Sequence, residues 1–276
     1  MGQHLISADD FLSSILSGPP GEVTVLDVRY ALGVEDGHAE YLAGHVPGAA
    51  YVDLETALAG EPGPQGEGGR HPLPDPDTFV PAMRAAGVRS DVPVVVYDAW
   101  NNAAAARCWW LLRHYGHDNV RVLDGGWQAW KDSGAAIEEG EAAVEPGDFE
   151  AGEPRMAVVG PEGALDHAHA GTLVDVRPAE RFRGEGESPD PVAGHVPGAV
   201  NVPLGDHLSG GAVDLGIVDA YPEGDVAVMC GSGVTATVGI LALAEGGREA
   251  TLYAGSFSDW ISDLDREVVS GDEDPA

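Results

Sequence analysis

The stretch that decides the fold is Val226-Ala227-Val228-Met229-Cys230-Gly231-Ser232-Gly233-Val234-Thr235. It opens with an apolar run, continues through two glycines, and is followed by a second, periodic apolar segment over residues 238–243. This order predicts a buried strand, a tight glycine loop and a helix, with Cys230 at the first position of the loop.

A cysteine at that position has an unusual electrostatic setting. The loop would surround its sulfur with backbone N–H groups, and the helix would direct the positive end of its dipole toward it. Both effects favour the thiolate, which is the nucleophilic form of cysteine. Gly231 and Gly233 would let the backbone curl around a sulfur-sized anion without a steric penalty. We therefore predict that Cys230 is a nucleophile.

The sequence also contains two copies of one pattern. Four blocks recur in the same order, here given with their second copies: 25–29 and 173–177, 44–49 and 194–199, 94–98 and 226–230, and 124–127 and 254–257. Two long copies indicate a duplicated domain and not a solenoid, whose repeats are much shorter.

The duplication separates scaffold from chemistry, because features shared by both copies are expected to be structural. His45 and His195 occur in both, so we predict a structural role for each. The same holds for the strand-end residues Asp27, Arg29, Asp175 and Arg177. Cys230 has no such partner, since Asp98 stands at its position in the first copy. We expect one active site, in the second copy.

Strands alternate with helical stretches in each half, as in 94–97 before 103–115 and 120–123 before 127–131. Such alternation predicts an α/β fold with parallel sheets flanked by helices. We place a first, non-catalytic domain over 1–137 and a catalytic domain over 155–276. The acidic stretch 138–154, rich in Gly, Ala and Pro, is predicted to be the linker.

Composition limits the partners. The formal net charge is −32 over 276 residues, with Lys131 the only lysine, so nucleic-acid binding lacks the basic face it needs. With 43% apolar residues, the chain can still build a core. We interpret the charge as a solvated surface of halophilic type, since molar salt screens charges over about 3 Å.

The two cysteines predict neither a disulfide framework nor a zinc site. Cys108 and Cys230 lie in different halves and form no CxxC motif, and we expect Cys108 to be a buried, inert thiol. Residues 1–11 show no targeting signal, and no apolar run approaches the length of a membrane span. We expect a cytoplasmic protein that needs no metal or organic cofactor and binds no membrane.

At these motifs the chain resembles the two-domain sulfurtransferases of the rhodanese family, over nearly its whole length. The loop from Cys230 to Thr235 is similar to the signature of the 3-mercaptopyruvate-using members. Thiosulfate-using members typically carry Arg and Lys where Gly231 and Ser232 stand. The resemblance therefore implies a tandem duplication of a rhodanese-like domain, and 3-mercaptopyruvate as the donor.

The resemblance also implies an anion-binding arginine shortly after the second Asp-x-Arg strand end. Arg181 matches that position, and its counterpart in the first copy is Gly33. Arg183 is the weaker candidate. Members that use mercaptopyruvate often carry a second arginine further along, where this chain has Asp190.

From the first domain, the family contributes an acidic residue and a histidine to the active-site cleft. Glu55 matches the acidic residue, although it replaces an expected aspartate, and His71 matches the histidine. His71 has no counterpart after His195, which favours a functional role.

The mechanism implied is attack by Cys230 on the donor sulfur to form a persulfide. Arg181 would hold the carboxylate, and Ser232, with His71 and Glu55, would relay a proton. Backbone N–H groups of Gly231, Gly233, Val234, Thr235 and Ala236, with the Thr235 hydroxyl, would stabilise the persulfide. A thiol such as a thioredoxin, or cyanide, would then take the sulfur.

Three alternatives remain at this point. A thiosulfate:cyanide sulfurtransferase shares the fold and the nucleophile. A non-catalytic persulfide carrier would load Cys230 without turning over small donors. A phosphatase would need an arginine six residues after the cysteine, where Ala236 stands, and is disfavoured.

Overall fold

The computed structural model describes residues 4–17, 22–30, 36–209 and 211–271. Gly33, the first-copy counterpart of Arg181, lies outside these residues. The chain divides into two compact units. The first unit comprises Met1–Gly60, Pro74–Arg155 and Ser209–Val213; the second comprises Glu61–Leu73, Met156–Leu208 and Asp214–Ala276.

The elements of the first half alternate between strand and helix as the sequence predicts. In chain order they are β1 (Leu5–Ile6), α1 (Ala8–Ser17), β2 (Thr24–Asp27), α2 (Gly37–Ala43), β3 (Ala50–Tyr51), α3 (Leu54–Ala57), α4 (Pro76–Ala85), β4 (Val94–Tyr97), α5 (Ala103–His114), β5 (Val120–Leu123) and α6 (Gly126–Asp132). The strands form a five-stranded parallel sheet in the order β1-β5-β4-β2-β3.

The second half repeats this plan. Its elements are β6 (Val158–Val159), α7 (Pro161–His169), β7 (Leu173–Asp175), α8 (Ala179–Arg183), β8 (Val200–Asn201), β9 (Leu208–Ser209), β10 (Ala212–Val213), β11 (Ala227–Met229), α9 (Ala236–Glu245), β12 (Thr251–Tyr253) and α10 (Ser256–Trp260), with 3₁₀ turns at Leu204–His207 and Leu215–Ala220. Its parallel sheet has the order β6-β12-β11-β7-β8, which matches the first sheet strand by strand. The predicted duplication and α/β class are confirmed.

The central helix of each unit is buried along most of its length. Residues 236–243 of α9 are buried, as are residues 103–112 of α5. Cys108 lies on α5 and is fully buried; this burial raises the pKa of its thiol, as expected for an inert cysteine. These helices follow the loops that leave the ends of β4 and β11.

The residues shared by both copies serve the scaffold. Arg177 contacts Asp175 at 2.7 Å and donates to the carbonyl of Gly194 at 2.8 Å, tying the end of β7 to a loop. The Arg29–Asp27 pair does the same in the first unit. His195 Nδ1 lies 2.8 Å from the Phe182 carbonyl oxygen, and the imidazole stacks on the phenyl ring of Phe182. His45 contacts the Tyr41 carbonyl in the same way.

The stretch predicted as a linker is part of the first unit. Glu138 exchanges backbone hydrogen bonds with His45, and the amide of Phe149, a buried residue, donates to Val88 at 3.1 Å. The domain limits 1–137, 138–154 and 155–276 stay a prediction.

Candidate active site

Cys230 stands directly after β11, at the carboxyl end of the second sheet, and only 3% of its surface is exposed. The N–H of Gly233 donates to its sulfur at 3.2 Å. Helix α9 begins a few residues later, at Ala236, so its positive end lies beside the loop. The predicted order of strand, cysteine loop and helix is therefore present.

Gly233 is required by the loop for two reasons. Its φ of +78° lies in the left-handed region, and a Cβ at this position would come within 2.0 Å of the Ala254 carbonyl oxygen. The N–H of Gly233 donates to the Cys230 sulfur, so the backbone conformation that only glycine adopts easily also brings this N–H to the thiol.

Ser256 completes the cysteine's backbone contacts. The Cys230 N–H donates to the Ser256 Oγ at 3.1 Å, and that hydroxyl donates to the Tyr253 carbonyl at 2.9 Å. Ser256 is fully buried with a φ of +53°, a strained conformation for a residue with a side chain. Sequence reasoning missed this residue, although its counterpart Gly126 in the first copy signals a left-handed position.

His71 and Ser232 are brought together. His71 Nδ1 and Ser232 Oγ lie 2.8 Å apart, and His71 is 7% exposed. His71 belongs to the segment Glu61–Leu73, which forms part of the second compact unit. Backbone contacts hold that segment in place: Gly68 N–H donates to Asp259 at 2.7 Å and Arg70 N–H to Ser258 at 3.1 Å.

Arg181 lies at the loop together with a second arginine that sequence reasoning missed. The Nη2 atoms of Arg70 and Arg181 lie 3.0 and 3.2 Å from the point where a Gly231 Cβ would be. Both guanidiniums pair with Asp190, Arg181 at 2.9 Å and Arg70 through a short contact. The adjacency of Arg70 to His71 is the only sequence signal that points to it.

Other predicted residues are placed differently. Glu55 is an exposed residue of α3 in the first unit, and its role stays a prediction. Arg183 pairs with Glu185 at 2.9 Å. Val234 is buried, and its carbonyl accepts from the Thr237 hydroxyl at 2.7 Å, while Thr235 is the residue before α9.

The equivalent loop of the first unit is filled by its own side chain. Asp98 is 1% exposed, and its carboxylate accepts from the N–H groups of Trp100, Asn102 and Ala105 at 2.8, 3.1 and 2.9 Å. Burial raises the pKa of Asp98 to about 6, outweighing these amides, which lower it.

Two classes of feature are not found in the described residues. No cluster of three or more His, Cys, Asp or Glu side chains among them is arranged to hold a metal. None of the helices described there combines the length and apolarity needed to cross a membrane.

Comparison with known proteins identifies the family to which this fold belongs. The family model of the rhodanese-like domain matches residues 9–133 and 161–263. SseB of Mycobacterium tuberculosis, provisionally named a thiosulfate sulfurtransferase, is 44% identical, with 98% of each chain covered. The 3-mercaptopyruvate sulfurtransferase of Escherichia coli K12 is 38% identical, covering 94% of this chain and 95% of its own.

A solved structure extends the match to three dimensions. SseA from Escherichia coli, described as a 3-mercaptopyruvate sulfotransferase with the rhodanese fold, superposes with a TM-score of 0.79 at 36% identity. The match covers 94% of this chain and all of the other. Two copies of one α/β domain, the second with a cysteine loop, are typical of the two-domain sulfurtransferases. The chain belongs to the rhodanese family.

Proposed function

We propose that this sulfurtransferase takes sulfur from 3-mercaptopyruvate through a persulfide on Cys230 and passes it to a thiol acceptor, such as a thioredoxin, or to cyanide. The general activity is that of its relatives, and its substrate is a small-molecule sulfur donor. The choice of donor and the roles of individual residues are inferred from the geometry of the loop.

The first half-reaction has a defined balance of bonds and charge. The Cys230 thiolate attacks the sulfur of 3-mercaptopyruvate, an S–S bond forms, and the C–S bond breaks. The electron pair of that bond goes to carbon and gives the enolate of pyruvate. The proton of the donor thiol must leave the sulfur and reach that carbon, so that a persulfide anion and pyruvate result.

The observation that carries the donor assignment is the contact between His71 and Ser232, 2.8 Å apart beside the cysteine. A hydroxyl paired with an imidazole can accept a proton on one side and deliver one on the other. The enolate of pyruvate becomes pyruvate only when a proton reaches its carbon. Thiosulfate instead releases sulfite, which needs no proton on carbon. Glu55 is proposed to assist the relay.

The remaining loop residues are proposed to bind the charged ends. Arg181 would hold the donor carboxylate, since a guanidinium presents paired donors that match it. The N–H of Gly233, already on the sulfur at 3.2 Å, would stay on the persulfide, with the amides of Gly231, Val234 and Thr235 and the Thr235 hydroxyl completing its shell.

A cytoplasmic location is part of the proposal. Both cysteines, Cys108 and Cys230, are free thiols, which supports a reducing compartment. It also suits a reaction that ends on a thiol acceptor.

Thiosulfate is the second candidate donor, favoured by a specific observation. Two guanidiniums beside Gly231 could bind a compact dianion, and SseB of Mycobacterium tuberculosis is named for this substrate.

Parallel turnover assays with both donors test the proposal. We expect Ser232→Ala and His71→Gln to lower kcat with mercaptopyruvate by about 10²-fold, the usual contribution of a positioned proton carrier, and to change thiosulfate turnover far less. His169→Gln, an exposed histidine of α7, is the matched control. Absence of pyruvate release by the wild type, with active thiosulfate turnover, would overturn the donor assignment. If each chain takes up one sulfur on Cys230 and then stops, the protein is a persulfide carrier and not an enzyme that turns over small donors.

A further inference from the structure

The cluster formed by Arg70, Asp190 and Arg181 is not explained by the resemblance to the family, which supplies its second arginine from the position that Asp190 occupies. We propose that Arg70 is the second anion-binding residue for the donor, and that Asp190 sets the charge of the pair so that a monoanionic carboxylate is preferred. This inference rests on the proposed function.

Asp190 holds the two guanidiniums from within the protein. Its side chain is fully buried, and its two carboxylate oxygens accept from Arg70 Nη1 and Arg181 Nη2. Ser188 Oγ donates to the same carboxylate at 3.1 Å. A buried carboxylate is stable only when it is paired and hydrogen-bonded. Asp190 therefore fixes the position of both arginines without being exposed to substrate itself.

Both arginines keep donors directed toward the cysteine loop. Their Nη2 atoms lie within 3.2 Å of the site of a Gly231 Cβ, one residue after the nucleophile. The Nε of Arg181 is buried and has no hydrogen-bond partner among the residues that the structure describes, which is costly for a donor unless a ligand satisfies it. A donor carboxylate placed against this loop would supply the missing acceptor.

Arg70 is also reachable from solvent. About a third of its side chain is exposed, 34%, compared with 19% for Arg181. It lines an open cavity of about 950 Å³ together with Pro189, Ser258 and Arg266. A small anion can therefore approach Arg70 through this cavity.

Local positive charge matters in a chain of this composition. The formal net charge of −32 repels an anionic donor, so binding needs a cationic site at short range. Two guanidiniums and one carboxylate leave one net positive charge beside the loop. One positive charge balances the single carboxylate of mercaptopyruvate. It balances only one of the two negative charges of thiosulfate.

The test compares Arg70→Gln, Arg70→Lys and Asp190→Asn with wild type, using mercaptopyruvate and thiosulfate at fixed ionic strength. Arg89→Gln, an exposed arginine paired with Asp91, is the control. We expect Arg70→Gln to raise KM for mercaptopyruvate about tenfold or more with kcat nearly unchanged, because a charge-assisted pair is lost. Arg70→Lys should recover part of the lost affinity for mercaptopyruvate. Product inhibition by pyruvate should be weaker in Arg70→Gln than in wild type, because the same carboxylate contact is lost.

Asp190→Asn gives an independent readout, since it raises the net charge of the cluster. We expect kcat/KM for thiosulfate to rise relative to mercaptopyruvate by about tenfold, the effect of one extra unit charge at short range. Circular dichroism and size-exclusion chromatography on each variant establish that it is folded.

The inference is overturned if folded Arg70→Gln behaves like Arg89→Gln with both donors, or if Asp190→Asn leaves the ratio of kcat/KM for the two donors unchanged. If wild type releases no pyruvate but uses thiosulfate, the donor assignment fails instead. A raised thiosulfate KM in Arg70→Gln would still place Arg70 in the anion site.

Discussion

The loop after β4 and the loop after β11 share one backbone frame and differ in the side chain at its centre. In each, the carbonyl of the central residue accepts an amide from the helix that follows the next strand, Asp98 from Trp127 at 2.8 Å and Cys230 from Phe257 at 3.0 Å. A left-handed residue occurs at the same place in both, Asn101 in the first and Gly233 in the second.

The difference is what the loop's amides bind. N–H groups of Trp100 and Asn102 in the first loop, and of Ala105 in the first turn of α5, donate to the Asp98 carboxylate, so these amides are satisfied by the loop's own side chain. In the second, the contact described to the thiol is that of Gly233, and the guanidiniums of Arg70 and Arg181 stand beside it. We infer that the loop residues around the central position, and not that position alone, separate a loop bound to its own side chain from one open to a donor.

The largest effect is expected from exchanging the central residues. Cys230→Asp makes the second loop like the first, and we expect turnover to fall by about 10⁴-fold or more because a carboxylate cannot form a persulfide. Pyruvate release measures this loss. The double variant Asp98→Cys with Cys230→Ser should stay inactive, because the first loop has Trp100 at the position of Ser232. Turnover by either variant would contradict the assigned difference between the two loops.

Ser256 offers the next test, since Gly126 holds its place in the first copy. We expect Ser256→Ala and Ser256→Gly each to lower kcat/KM about tenfold, because the Cys230 N–H loses its buried acceptor. Ser256→Gly should be the more stable of the two by about 1 kcal/mol, since glycine accepts the left-handed φ. Urea unfolding with Ser262→Ala as control measures this, and equal stability of the two would refute the strain argument.

The carboxylate in the first loop predicts a pH dependence of stability. Its folded-state pKa of about 6 lies above the ordinary value of about 3.9. The folded chain therefore holds this proton to higher pH than the unfolded chain, and its contribution to stability decreases as pH rises from about 4 to about 6. Relative to Asp98→Asn, wild type should lose about 1 to 3 kcal/mol of unfolding free energy between pH 4.5 and 7.5.

Urea titrations at the two pH values provide this measurement. Asp77→Asn, an exposed residue of α4, controls for the removal of one surface charge. A constant difference between wild type and Asp98→Asn across the range would show that the carboxyl does not titrate there.

The smallest effect is expected at Gly231, whose counterpart in the first loop is Ala99. In Gly231→Ala the new methyl group would lie 3.0 Å from Arg70 Nη2 and 3.2 Å from Arg181 Nη2. Because these are ends of flexible side chains, we expect KM to rise only about 2- to 5-fold with stability unchanged. Gly205→Ala, where a Cβ meets open space, is the control, and an equal effect in both would remove the arginines from the explanation.

The sequence predicts the fold well because the fold depends on local pattern; the assignment of Cys230 as the nucleophile rests on the same pattern and stays a prediction. Apolar runs, glycines and the repeat fix β11, the Cys230 loop and α9, and they also identify Asp98 as the exception between the copies. His71 and Arg181 were predicted from the family motifs, and the structure places both near the Cys230 loop, where their roles stay proposals.

The residues that were missed depend on distant parts of the chain. Arg70 reaches the site because Glu61–Leu73 packs within the second unit, which no local pattern signals. Asp190 looks in sequence like the loss of an arginine, whereas in the structure it holds two of them. Ser256 adopts a conformation that its residue type disfavours, so only the comparison with Gly126 points to it.

Peptide mapping by mass spectrometry after treatment with 3-mercaptopyruvate tests the central difference between the two loops most directly. We expect the mass of one sulfur atom to be added to the peptide that contains Cys230, Cys108 to stay unmodified, and a thiol acceptor to remove the added sulfur. Pyruvate formation without sulfur on Cys230, or with sulfur on Cys108 instead, would contradict this expectation.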